Sequence, residues 1–95
     1  MKSKDLYTEI IFQIISGQEL IIGPVAIDQA SKVSSLEIDW KEKKVTIKGD
    51  EKSAIDELIE SYKELFGQIS VEVCREAASK IIAGLSRDEI PDLLR

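Results

Sequence analysis

Four carboxylates, Asp56, Glu57, Glu60 and Glu64, recur along residues 56–64 at spacings that gather them on one side of a helix. Paired carboxylates can do acid–base work, and a set of oxygen ligands suits hard cations such as Mg²⁺ or Ca²⁺. Lys52 and Lys63 intersperse them, and they lie opposite Leu58, Ile59 and Tyr62, so a solvated face is expected. Cys74 is the single thiol, and Arg75 beside it would lower its pKa if both were exposed. At helical spacing, however, Cys74 shares an apolar stripe with Ala78 and Ile81, where a free cysteine packs as a small hydrophobe. Trp40 and Tyr62 could stack a planar ligand, but each belongs to an apolar face. Gly23-Pro24 could offer backbone N–H groups to an anion, yet Pro24 removes one donor and Asp28 follows with the wrong charge. No acid is paired with a base. No catalytic, cofactor-binding or metal-ligating residue is assigned, and the chain is expected not to be an enzyme and to need no cofactor.

The totals agree with that expectation. The chain has 95 residues, no His and one Cys, so a His-ligated metal site, an intrachain disulfide and a CxxC motif are excluded. Its net charge of −5 lacks the basic stripe of a phosphate-tracking nucleic-acid binder and does not favour anionic membranes. No apolar run reaches the roughly 18 residues of a transmembrane helix, and Met1-Lys2-Ser3-Lys4-Asp5 does not read as a signal peptide. A cytoplasmic location is therefore expected. Fifteen isoleucines, 21 Glu plus Lys, four glutamines and no asparagine lean in the hyperthermophile direction.

These residues must be positioned by a single domain spanning residues 1–95, of α+β class. Polar Asp5, Glu9, Gln13 and Ser16 alternate with wide apolar sides, which predicts a helix over about 4–16 stopped by Gly17. The β-branched content leaves Ile10, Phe12 and Ile14 as one face of a strand in the alternative reading. Leu20-Ile21-Ile22 reads as a brief buried strand, and Pro24 opens a helix over about 24–33. Leu36, Ile38 and Trp40, then Val45 and Ile47, alternate with polar residues, which predicts a hairpin of strands 35–40 and 44–48. Pairing Trp40 with Val45 and Ile38 with Ile47 sets Glu37 opposite Lys48. Asp50 caps a helix over 51–66 that ends at Gly67. A further helix covers about 72–85, with residues 69–73 able to form an extended entry. Ser86-Arg87-Asp88-Glu89 matches a capping box, and Pro91 forces Ile90 out of helical geometry, leaving 86–95 as a short turn or tail.

Residues 20–66 thus run strand, helix, strand, strand, helix. The stretches Val33–Trp40, Lys44–Asp50 and Ile55–Ile59 resemble the ferredoxin-like heavy-metal-associated domains of copper chaperones. The resemblance implies a ferredoxin-like core. That family's CxxC falls in the loop that here reads Gly23-Pro24-Val25-Ala26, so metal transport is not implied. The chain as a whole resembles small proteins of hyperthermophilic archaea.

With chemistry largely excluded, the wide apolar helix faces point to protein association, most simply as a homodimer. The expected interface comprises Ile11, Ile15, Ile82, Leu85, Ile90, Leu93 and Leu94, with Trp40 as an aromatic contact. A small-molecule sensor or carrier, with a pocket between the sheet and the amino-terminal helix, is the alternative.

Overall fold

The computed structural model describes residues 3–95, with side chains from Leu6 onward, so the side chain of Asp5 in the first polar stripe lies outside the described part. Among the described residues four helices, α1 (Ser3–Ile22), α2 (Val25–Ser31), α3 (Glu51–Phe66) and α4 (Gln68–Ile82), pack together, and one two-stranded antiparallel hairpin, β1 (Leu36–Asp39) and β2 (Lys44–Ile47), lies against α1 and α2. The fold is α+β. Two short 3-10 turns, Arg87–Glu89 and Asp92–Leu94, complete the chain.

α1 departs most from the sequence expectation. It does not stop at Gly17, and Leu20-Ile21-Ile22 is its last turn rather than a strand. A glycine inside a helix costs about 1 kcal/mol relative to alanine, but Gly17 lies directly against α4. A Cβ at Gly17 would sit 3.5 Å from Ala77 Cβ and 3.8 Å from Val73 Cγ1. Close packing against α4 therefore carries the helix through the glycine. The stop comes at Gly23, whose φ of 75° only glycine adopts readily, followed by Pro24. Without a strand at 20–22, the unit that resembles a ferredoxin-like motif reads helix, helix, strand, strand, helix over residues 20–66.

The hairpin has the expected faces in a different register. Leu36 pairs with Ile47, Ile38 with Val45 and Asp39 with Lys44, two residues from the pairing set by Trp40 and Val45. A two-residue slip keeps every side chain on its own face, so alternation cannot detect it. Turn geometry decides instead. Lys43 donates its backbone N–H to the Trp40 carbonyl at 3.1 Å, and Glu42 N–H reaches Asp39 Oδ1 at 3.3 Å, which closes a tight loop over 40–43. Trp40 leaves the ladder and stacks on Phe12 of α1, ring centroids 5.2 Å apart. Glu37 and Lys48 still meet, at 3.8 Å, as an exposed diagonal pair.

α3 matches the expected bounds, with Asp50 Oδ2 accepting the Ser53 N–H at 2.8 Å. α4 begins at Gln68, immediately after Gly67, so residues 69–73 are helical and the corner between α3 and α4 is one residue. Gly67 has φ of 78°, the positive value that lets the chain reverse so sharply. Ile10, Ile14, Ile55, Leu58, Ile59 and Tyr62 are fully buried at the centre.

Candidate association face

Residues 86–95 are not a free tail. Tyr7 O–H of α1 donates to the Glu89 carbonyl at 2.6 Å, and Lys52 Nζ of α3 donates to the Asp88 carbonyl at 2.8 Å. Arg75 Nε of α4 donates to the Leu93 carbonyl at 3.2 Å, and Asp56 Oδ1 of α3 accepts the Leu93 N–H at 3.1 Å. Ser86 N–H reaches Glu89 Oε1 at 2.8 Å as the capping box requires, and Ile90 is extended before Pro91. Leu85, Pro91 and Leu94 are buried against the protomer's own helices, while Ile82, Ile90 and Leu93 are half-buried.

The expected interface is corrected accordingly. Ile11 and Ile15 are fully buried in the core, and Leu85 and Leu94 have little surface left for a partner. Periodicity marked these residues as apolar but could not say that their own chain covers them. Trp40 is half-buried beneath Phe12 and Lys43, whose Nζ stands 4.3 Å from the ring centroid.

The chemical candidates are also placed. Cys74 is fully buried, and burial pushes its thiol up to about 11 despite a hydrogen bond from Gln18 that works the other way. Arg75 turns to Glu72 and the tail. Tyr62 is a core residue whose hydroxyl donates to the Ala26 carbonyl at 2.7 Å, and burial raises its pKa. Glu57 accepts from Ser35 Oγ at 2.9 Å, while Glu60 and Glu64 are exposed. Asp56 departs from the solvated-face expectation. It is half-buried, with its pKa raised first by burial and held back by the Leu93 N–H. Among the described residues no group of three or more His, Cys, Asp or Glu side chains gathers as a metal site.

What the sequence reading missed is an apolar surface at one end of the molecule. Large apolar side chains stand exposed at Leu20 and Ile21 on α1, Val25 on α2, Leu65 and Phe66 on α3, and Ile69 on α4. Two buried amides gather these helix ends. Gln18 Nε2 donates to the Ser70 carbonyl at 3.1 Å and to Cys74 Sγ at 3.5 Å, tying the end of α1 to the start of α4. Gln29 Nε2 donates to Ser61 Oγ at 2.6 Å and, with the Tyr62–Ala26 bond, ties α2 to α3.

The exposed residues prolong stripes that are buried upstream. Ile10, Ile14 and Gln18 are buried along α1, and Ile21 follows at the next helical step, yet is 63% exposed. Leu58, Ile59 and Tyr62 are buried along α3, and Leu65 and Phe66 continue the same face into solvent. The signal was therefore present in the spacing, hidden by ending α1 at Gly17.

Between α1 and the α3–α4 corner runs an apolar cleft of about 370 Å³, floored by Gln18 and Ser70 and walled by Ile21, Phe66, Ile69 and Val73. A second, of about 300 Å³, lies on the other flank of Ile21 against Leu20, Ala77 and Glu76. A larger hollow of about 630 Å³ lies over the hairpin and is lined mainly by the charged Glu37, Asp39, Lys41 and Lys44.

No family model, curated protein or solved structure matches this chain. No helix among the described residues is long and apolar enough to cross a membrane.

Proposed function

We propose that this chain is a non-enzymatic association domain that pairs with a second copy of itself through the apolar end formed by Leu20, Ile21, Val25, Leu65, Phe66 and Ile69. The observation that carries the reading is the continuation of the α1 and α3 core stripes past the point where the protomer covers them. Such a stripe is ordinarily buried along its length.

The area supports a second copy as the occupant. From their fractional exposures, these six side chains present of the order of 600 Å² of apolar surface, at the upper end of what monomers expose. Two such faces together bury roughly 1,200 Å², above the ~1,000 Å² that a specific interface needs. The charged lining of the hollow over the hairpin and the stacking of Trp40 on Phe12 between hairpin and α1 give less support to a ligand-carrier role.

Light scattering coupled to size exclusion at micromolar concentration tests the proposal. A dimer is expected, and Ile69→Lys is expected to be monomeric and cooperatively folded, losing only the concentration-dependent part of the melting temperature that dimerisation supplies, because Ile69 is 72% exposed in the protomer. A monomeric parent chain, or an Ile69→Lys variant that remains dimeric, overturns it.

A further inference from the structure

We infer that the two copies meet about a two-fold axis through Ile21, with Leu20 of each protomer seated in the apolar cleft of its partner. This rests on the self-association reading above and specifies its geometry.

Ile21 and Val73 both wall the two apolar clefts, and Ile21 is the exposed one of the pair, so it marks the ridge between them, with Leu20 on one flank and Phe66 and Ile69 on the other. A symmetric pair uses the same patch on both copies, and the residue on the axis meets its own counterpart. Each protomer offers of the order of 600 Å² of apolar surface against the ~800 Å² of a standard interface, so none is spare. An axis displaced from Ile21 leaves part of the face in water, whereas an axis through it covers both flanks.

A half-turn about an axis through Ile21 that runs between the two flanks carries the flank holding Leu20 over the partner flank that holds the ~370 Å³ cleft. Leu20 is the projecting side chain, at 88% exposed. The receiving walls, Ile69, Phe66 and Val73, are apolar, and the only polar groups on the floor, Gln18 and Ser70, already bond to each other. A branched aliphatic side chain suits such a cavity, and a projecting residue entering a partner's cleft is the usual form of an interface hot spot.

Cysteine cross-linking tests the axis. Under mild oxidation Ile21→Cys is expected to form an interprotomer disulfide, read on a non-reducing gel, while Leu65→Cys, on α3 and lining neither cleft, is expected not to. The native Cys74 is fully buried and does not compete. A dimer by light scattering in which Leu65→Cys cross-links and Ile21→Cys does not overturns this geometry and leaves the self-association standing; a monomeric parent chain removes both.

A second measurement covers an Ile21→Cys variant that dimerises poorly. Leu20→Ala and Ile69→Ala are each expected to weaken the dimer at least tenfold. The double variant is expected to fall short of the product of the two effects, because the side chains touch across the interface. Fully multiplicative effects overturn the seating of Leu20.

Discussion

The carboxylate of Asp56, midway along α3, accepts the backbone N–H of Leu93 at 3.1 Å and so caps the last turn of the chain from another helix. Asp56→Ala leaves that N–H without its acceptor and is expected to cost about 1–2 kcal/mol, whereas Asp56→Asn keeps an acceptor oxygen. Burial holds the folded-state pKa above the ordinary value of 3.8, so the folded state retains this proton longer than the unfolded chain. The contribution of Asp56 therefore favours folding at acid pH and is lost as pH rises from 3.8 through the raised folded value. The melting temperature of Asp56→Asn, measured relative to the parent chain, should become more favourable between about pH 3 and pH 7. A difference that moves the other way contradicts the assignment.

Gly17 offers a gain in stability. It sits in a helix, and the nearest atoms to an added Cβ, at 3.5 and 3.8 Å, are at ordinary contact distance. Gly17→Ala should stabilise the fold by about 0.5–1 kcal/mol in chemical denaturation. Gly17→Leu, which drives a branched side chain into Ala77 and Val73, should destabilise it.

Tyr62 links the core to α2 through its 2.7 Å bond to the Ala26 carbonyl. Tyr62→Phe keeps the ring and removes the donor, losing one buried hydrogen bond to a helical carbonyl at a cost of about 0.5–1.5 kcal/mol. The midpoint of urea unfolding should fall while its slope stays constant.

Ionic strength distinguishes a second copy from an oppositely charged partner. Glu76 lines the apolar face, Glu19 and Glu64 adjoin it in sequence, and the whole chain carries −5. Two copies bring like charges together, so sedimentation should show a dimer that tightens as NaCl rises from about 0.02 to 0.2 M. Glu76→Gln should flatten that dependence. Weakening by salt would indicate attraction between unlike charges instead.

Helix α3 was legible because every signal coincided: Asp50 as cap, a stripe from Ala54 to Phe66, and Gly67 as stop, although the stripe alone does not tell that Leu65 and Phe66 stand in solvent. The hairpin was legible in its faces but not in its register, since period-two alternation is unchanged by a two-residue slip. α1 was cut short because glycine is normally a stop signal. Only the approach of Ala77, 60 positions away in the chain, explains why the helix continues. Leu85, Ile90, Leu93 and Leu94 carry no marker that separates cover for their own core from contact with a partner. Asp56 was read with its exposed neighbours because nothing local announces Leu93.

The carboxy-terminal strap is held chiefly through its main chain: the carbonyls of Asp88, Glu89 and Leu93 and the N–H of Leu93 receive side chains from three helices. Peptide groups are the same whatever residue bears them. The identity of the exposed residues in 86–95 can therefore drift while the length of the segment cannot. Point substitutions at Asp88 or Asp92 would register as nearly silent, yet a stop codon placed after Ser86 would release every one of these anchors at once.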